Sequence, residues 1–190
     1  MKLMILCGLF LVLLSSVEAE ATSEGKSDLP AKGLIPQKRM LHIGIVVKNM
    51  DAALVHWTKV LGRDEIPETI LAEEHHANPT MLRSQPSAAK VRLAFIQLDN
   101  IQVELLQPVD DEPNAWQEFL DTHGERVHHI AFAVKGLGET YVGALSEAGM
   151  PLLMSGGWDG GEYIYADTHD ALDTTVELLE TYTQPTTAQP

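Results

Sequence analysis

Cysteine is almost absent: Cys7 is the only one in the 190 residues. It lies in an N-terminal apolar run, so the rest of the chain has neither a disulfide framework nor a thiol nucleophile. Basic residues are scarce as well, and from 136 to 190 there is no Lys or Arg against nine Asp and Glu. A chain with a formal net charge of −14 repels polyanions, which sets nucleic acid aside as a partner. Long apolar runs are also missing. The run from Leu3 to Leu14 has 12 residues where a bilayer-spanning helix needs about 20, so no integral membrane anchor is expected.

Lys2 before that run, and Ser15-Ser16 with Val17-Glu18-Ala19 after it, give the order of a secretory signal peptide over 1–19. The expected location is therefore secreted or periplasmic. Residues 20–39 carry Pro30, Gly33 and Pro36 without periodicity and read as a flexible linker; 181–190 read as a disordered tail. The 45% apolar content allows one domain with a real core between them.

What that domain does have is a repeat. Shifted by 87 residues, His42-Ile43, Val47-Lys48, Val55 and Gly62 fall on His129-Ile130, Val134-Lys135, Val142 and Gly149, six identities in 21 positions. Average residue usage leads one to expect about one such match. Val103-Glu104-Leu105-Leu106 and Val176-Glu177-Leu178-Leu179 close the two copies with the same tetrapeptide. Each half thus starts on a histidine and ends on a glutamate, both on strand-like runs.

The pattern predicts a strand over 40–48, then a helix capped by Asn49 or Asp51 and stopped by Gly62. One short strand and a long loop are expected over 63–90, then a hairpin of 91–98 with 101–106. A linking helix is expected over 113–123. The second copy repeats the layout with a strand at 127–134, a helix at 139–148 and a brief strand at 152–154. A mobile glycine-rich connection at 155–161 and a hairpin of 163–166 with 174–179 complete it. Module one is therefore 40–108 and module two 127–180.

Alternate residues of a strand share a face, so His42 lies with Gly44 and Val46, His129 with Ala131 and Ala133. Val103, Leu105, Val176 and Leu178 turn away from Glu104 and Glu177 toward the helices. If a pseudo-twofold relates the halves, His42, Glu104, His129 and Glu177 meet across it. Two imidazoles and two carboxylates suit a divalent metal with mixed nitrogen and oxygen ligands, such as Co, Ni, Zn, Mn or Fe. A ligand glutamate, Glu177 or Glu104, could also take a proton from the substrate. His128 points away from His129 on this alternation and reads as structural. His56, His75, His76, His123 and His169 read as surface or loop residues.

The stretches HIGIVVKNMDAALVHWTKVLG, VELLQP, EFLDTHGERVHHIAFAVKGL and VELLE resemble the vicinal oxygen chelate (VOC) superfamily, which includes glyoxalases, methylmalonyl-CoA epimerase, extradiol dioxygenases and bleomycin-resistance proteins. The layout looks most like the epimerase branch, although Ala88 stands where that branch carries a glutamate base. The resemblance covers about 41–180 and implies an α+β fold of two paired βαβββ modules in an open, cupped mixed sheet. It also implies that His42, Glu104, His129 and Glu177 are the metal ligands. The function implied is metal-assisted proton transfer on a small-molecule substrate, as an epimerase, isomerase or glyoxalase-like lyase. A non-catalytic binding or sequestering protein and an extradiol-type dioxygenase are the alternatives. The modules could pair within one chain or across a homodimer.

Overall fold

The computed structural model describes residues 33–35, 39–73 and 75–182. The expected signal peptide, most of the expected linker and the tail beyond 182 lie outside them.

Strand β1 (Met40–Val46) leads into helix α1 (Met50–Leu61). The helix begins where it does because the Asn49 side chain accepts the Ala52 N–H at 3.0 Å. It ends at Gly62, whose φ of 61° is left-handed. Met50, Ala53, Leu54 and Trp57 form one stripe, which packs with Val103 and Leu105 on the convex side of the sheet.

Strands β2 (Thr69–Ala72), β3 (Met81–Leu82), β4 (Gln85–Pro86), β5 (Val91–Gln97) and β6 (Gln102–Pro108) follow, then helix α2 (Ala115–His123). Module two comprises β7 (Arg126–Ala133), α3 (Gly138–Glu147), β8 (Leu152–Trp158), β9 (Gly161–Ala166), the short α4 (His169–Leu172) and β10 (Thr175–Thr181). Helix α3 has no side-chain cap of its own. Glu180 of β10 accepts the Leu137 N–H at 2.7 Å instead, and backbone donors at 136 and 137 hold its carboxyl below the usual range.

All ten strands form one sheet, in the order β2-β5-β6-β1-β7-β10-β9-β8-β3-β4. The expected α+β fold of two βαβββ modules is present, and the modules join within one chain through the antiparallel β1–β7 pair. Val176 and Leu178 pack with Tyr141 and Leu145 of α3 on the convex side, as Val103 and Leu105 do with α1. Helix α2 sits differently. Its Trp116, Phe119 and Leu120 cluster with Val46 and Leu106, the residues that share a strand face with His42 and Glu104, so α2 fills one end of the cup.

Two sequence expectations change. The 63–90 stretch holds three short strands, and β3 pairs with β8, Met81 opposite Ser155 and Leu82 opposite Met154. Module one thus reaches across to the edge of module two, a pairing that no local pattern in so short a segment announces. Residues 155–158, expected to be mobile, belong to β8. Their glycines mark close approach: a Cβ on Gly156 would stand 2.7 Å from the Tyr163 hydroxyl.

The β3–β4 turn carries Arg83 and Ser84 at φ values of 46° and 66°, which non-glycine residues adopt at a cost of about 1–2 kcal/mol each. Arg83 is tied to Glu118 of α2 by two bonds of 2.9 and 2.7 Å, whereas the Ser84 side chain is exposed. Ser84→Gly should therefore stabilise the protein by about 0.5–1 kcal/mol after the unfolded-state entropy of glycine is subtracted. The check is a higher urea midpoint at unchanged slope.

Candidate metal centre

Strands β1 and β7 lie side by side at the middle of the sheet, flanked by β6 and β10. Gly44 pairs with Glu104 on one side and with His129 on the other; Glu177 stands opposite Ala131. This register brings His42, Glu104, His129 and Glu177 to one place on the concave face. The His42 Nε2 lies 2.8 Å from Glu177 Oε2, 3.2 Å from Glu104 Oε2 and 3.1 Å from His129 Nε2. His129 Nε2 is 3.3 Å from Glu104 Oε2 and 3.2 Å from Glu177 Oε2. All four residues are buried.

The donor set fits a divalent cation. Bonds of about 2.1 Å to one ion place neighbouring donors about 3 Å apart, close to the spacings found here. The four donor atoms all lie within 4.8 Å of one another, so any of the N/O-binding divalent ions fits their chemistry. Four buried residues that supply two nitrogens and two carboxylates balance a dipositive charge without help from the surroundings.

Without a cation the same groups neutralise each other through protons. Burial alone would lower the His42 imidazole, but hydrogen bonds to Glu104 and Glu177 outweigh it and raise it to about 10. His129 is raised against its own burial by the same carboxylates. Burial would lift Glu177, yet the charges and hydrogen bonds of His129 and His42 pull it down to about 2, and Glu104 is lowered likewise. His42 stands above its ordinary 6.5, so its pairing contributes fully below that value and fades as pH rises toward 10. Glu177 stands below its ordinary 4.5, so its contribution is full above that value and fades as pH falls toward 2. Because burial also holds the neighbouring His128 imidazole neutral, at a cost that grows as pH falls below 6.5, metal-free protein should be most stable near pH 6.5. Thermal unfolding in chelator across pH checks this, and a flat profile on the alkaline side contradicts it.

Above the cluster opens a cavity of about 830 Å³. His42, Glu104 and Glu177 reach its wall, which is otherwise built largely from apolar and aromatic side chains such as Leu93, Phe95, Trp116, Tyr163 and Tyr165. Burial pushes the Tyr163 and Tyr165 hydroxyls well above their ordinary value, so both stay protonated donors. Among the described residues Arg39 is the one Lys or Arg on the wall, against Glu73, Asp99 and Asp159.

Among the other histidines, His75 reaches this wall and meets Asp159 at 3.0 Å, bridging the two modules. His123 and His169 stack at 5.9 Å, outside the cluster. His128 departs from expectation. It does not point away from His129; its Nδ1 lies 2.9 Å from His129 Nδ1, and burial holds its imidazole well below the ordinary value. The sequence offered a signal for it only in the doubled His-His.

A sheet built twice over, its central strands converging two histidines and two glutamates under a cavity, defines a bimodular α+β protein with a buried candidate cation site. The chain belongs to the Glyoxalase/Bleomycin resistance protein/Dioxygenase superfamily, whose family model matches residues 41–168. It is 27% identical over 145 residues to the uncharacterised protein YqjC of Bacillus subtilis, covering 75% of this chain and 91% of that one. A hypothetical protein from Bacillus halodurans has a similar structure at 22% identity, with a TM-score of 0.54 over 77% of this chain and 96% of that one. The methylmalonyl-CoA epimerase of Mycobacterium tuberculosis is similar at 22% identity and a TM-score of 0.51, over 76% and 89% of the two chains. At such identities the structural likeness speaks to the fold alone. Among the described residues no helix is long and apolar enough to cross a membrane.

Proposed function

We propose that this protein is an exported, divalent-metal-dependent enzyme that moves a proton beside a carbonyl of a small, uncharged oxygenated substrate, as an isomerase, epimerase or glyoxalase-like lyase. The observation that carries the reading is the convergence of His42, Glu104, His129 and Glu177 within 4.8 Å beneath an apolar-walled cavity. These four residues would hold the ion. When bound, it supplies Lewis-acid stabilisation for an oxygen that gains charge as the neighbouring proton leaves.

The chain supplies the rest. Glu177 and Glu104 are the carboxylates that reach the cavity floor, and both are held low enough to stay ionised, as a proton acceptor must be. Since Ala88 offers no carboxylate, that role falls to them. The protonated Tyr163 hydroxyl on the wall can donate to a substrate oxygen. Apolar walls exclude water and strengthen each of these interactions.

A coenzyme A thioester, the substrate named for the mycobacterial neighbour, carries several phosphate charges. The carboxylates of Glu73, Asp99 and Asp159 on the wall, with Arg39 the one Lys or Arg there among the described residues, disfavour such charges and so favour a compact uncharged substrate. The leader read at 1–19, which lies outside the described residues, motivates the exported location.

The test is metal analysis of the purified mature protein, paired with deuterium exchange from solvent into an α-hydroxyketone such as hydroxyacetone, followed by NMR. About one divalent ion per chain, lost in His42→Ala, and exchange lost in Glu177→Gln are expected. A chain that takes up no divalent ion between pH 6 and 8 refutes the reading in favour of a non-catalytic binding protein. Oxygen uptake with a catechol refutes it in favour of a dioxygenase.

A further inference from the structure

Two bulges interrupt the β1–β7 ladder. Met40 and His42 stand opposite the neighbours Phe132 and Ala131, which makes Leu41 the extra residue of β1. The neighbours Gly44 and Ile45 stand opposite His129 and Val127, which makes His128 the extra residue of β7. Positions 41 and 128 correspond under the 87-residue repeat. Both modules thus bulge at the same place, one with leucine and the other with histidine.

A bulge breaks strand alternation and re-aims a side chain. Here it turns His128 onto its neighbour: Nδ1 of His128 lies 2.9 Å from Nδ1 of His129, with the residues 1% and 0% exposed. The ring planes stand at 89°, an edge-on approach suited to an N–H···N bond. Phe119 at 4.9 Å and Tyr165 at 5.4 Å, both edge-on, keep the His128 ring in place. Leu41 has no polar side-chain atom and can do nothing comparable for His42.

We infer that His128 is a positioning residue that accepts the Nδ1 proton of His129 and so leaves Nε2, which faces Glu104, Glu177 and His42, as the nitrogen that gives up its proton to a cation. A neutral imidazole carries one proton, and a proton on Nε2 would block that nitrogen as a ligand. An acceptor behind Nδ1 settles the proton there, leaving His128 its own proton on Nε2. The two histidines of the cluster are then unequal. His129, which does not line the cavity, has this second anchor; His42, which does, has none from Leu41. This inference rests on the proposed cation site.

The test compares H128L, H128N and H128Q. H128L installs the module-one residue; H128N sets an amide oxygen where the imidazole Nδ1 was, and H128Q sets one farther out. Zinc affinity by chelator competition should fall about 10- to 100-fold in H128L and H128Q, while H128N stays within about 3-fold of wild type. Equal affinities in H128N and H128Q, or wild-type affinity in H128L, overturn the inference. Should H128L fail to fold, the Asn-against-Gln comparison still decides. In ¹⁵N-labelled wild type, a scalar coupling across the hydrogen bond should join His129 Nδ1 to His128 Nδ1, and its absence overturns the inference too. Wild type that binds no zinc defeats the cation reading alone, because the coupling in metal-free protein still reports on the His128 bond.

Discussion

Gly44→Ala should abolish the proposed cation site while leaving the sheet assembled. Gly44 pairs directly with His129 across the β1–β7 ladder, and a Cβ built on it would overlap the edge of the imidazole, against its Cε1, Nε2 and Nδ1. A flexible side chain could yield, but this ring cannot. Its Nδ1 is held by His128 at 2.9 Å, and its centroid lies 5.0 Å from that of the tilted Tyr165 ring. The added methyl must expel the imidazole from its seat or part the two central strands. Overpacking of this kind costs about 1–3 kcal/mol, and losing one of four donors should weaken zinc binding by more than about 100-fold. Gly143→Ala is the control. It lies exposed inside α3 with nothing within 4 Å of the new Cβ, so it should gain about 0.5–1 kcal/mol and bind zinc as wild type does. Isothermal titration of the two variants checks both, and a Gly44→Ala protein with wild-type affinity would show that His129 is not seated over Gly44.

That glycine was legible in the sequence only as a small residue on the face of His42. The more general features were easier to read because they are local or repeated. The Asn49 cap and the Gly62 stop announce α1, and the alternation in Val103-Glu104-Leu105 and Val176-Glu177-Leu178 separates the helix-facing residues from those facing the cup. The 87-residue repeat then matches His42 with His129, and the repeated Val-Glu-Leu-Leu matches Glu104 with Glu177, 73 residues on, without any knowledge of the loops between them. What stayed hidden depends on long-range pairing. Met81 and Leu82 join the main sheet through β8 beside them, and no window of two residues has a period. The Gly156-Gly157 pair resembles a loop until Tyr163 and Asn78 are seen crowding it. His128 failed for a different reason: strand alternation holds only where the ladder is regular, and the bulge that overturns it leaves no mark in residue type.

His42→Leu alone should destabilise the metal-free protein by about 3–5 kcal/mol, and adding Glu177→Met should recover most of that loss. His42 and Glu177 make the shortest contact in the cluster, at 2.8 Å. The single variant leaves Glu104 and Glu177, 7% and 3% exposed, with His129 as their one remaining counter-charge. A buried carboxylate without a partner must take up a proton or draw in water, and either route costs stability. The double variant removes opposite charges together, fills the space with apolar atoms and leaves His129 with Glu104 at 3.3 Å, a matched pair. Urea unfolding in chelator reads both values, and equal losses in the single and double variants would contradict the pairing. Near-recovery would mean that the fold does not depend on the charges of these two groups, so stability offers no account of why they are buried. The account on offer is a ligand: zinc at about 100 times its dissociation constant should stabilise wild type by about 2.7 kcal/mol and leave the double variant where it was. A double variant stabilised by zinc as strongly as wild type would mean that the ion binds elsewhere, and that the cup between the modules holds an ordinary set of buried ion pairs.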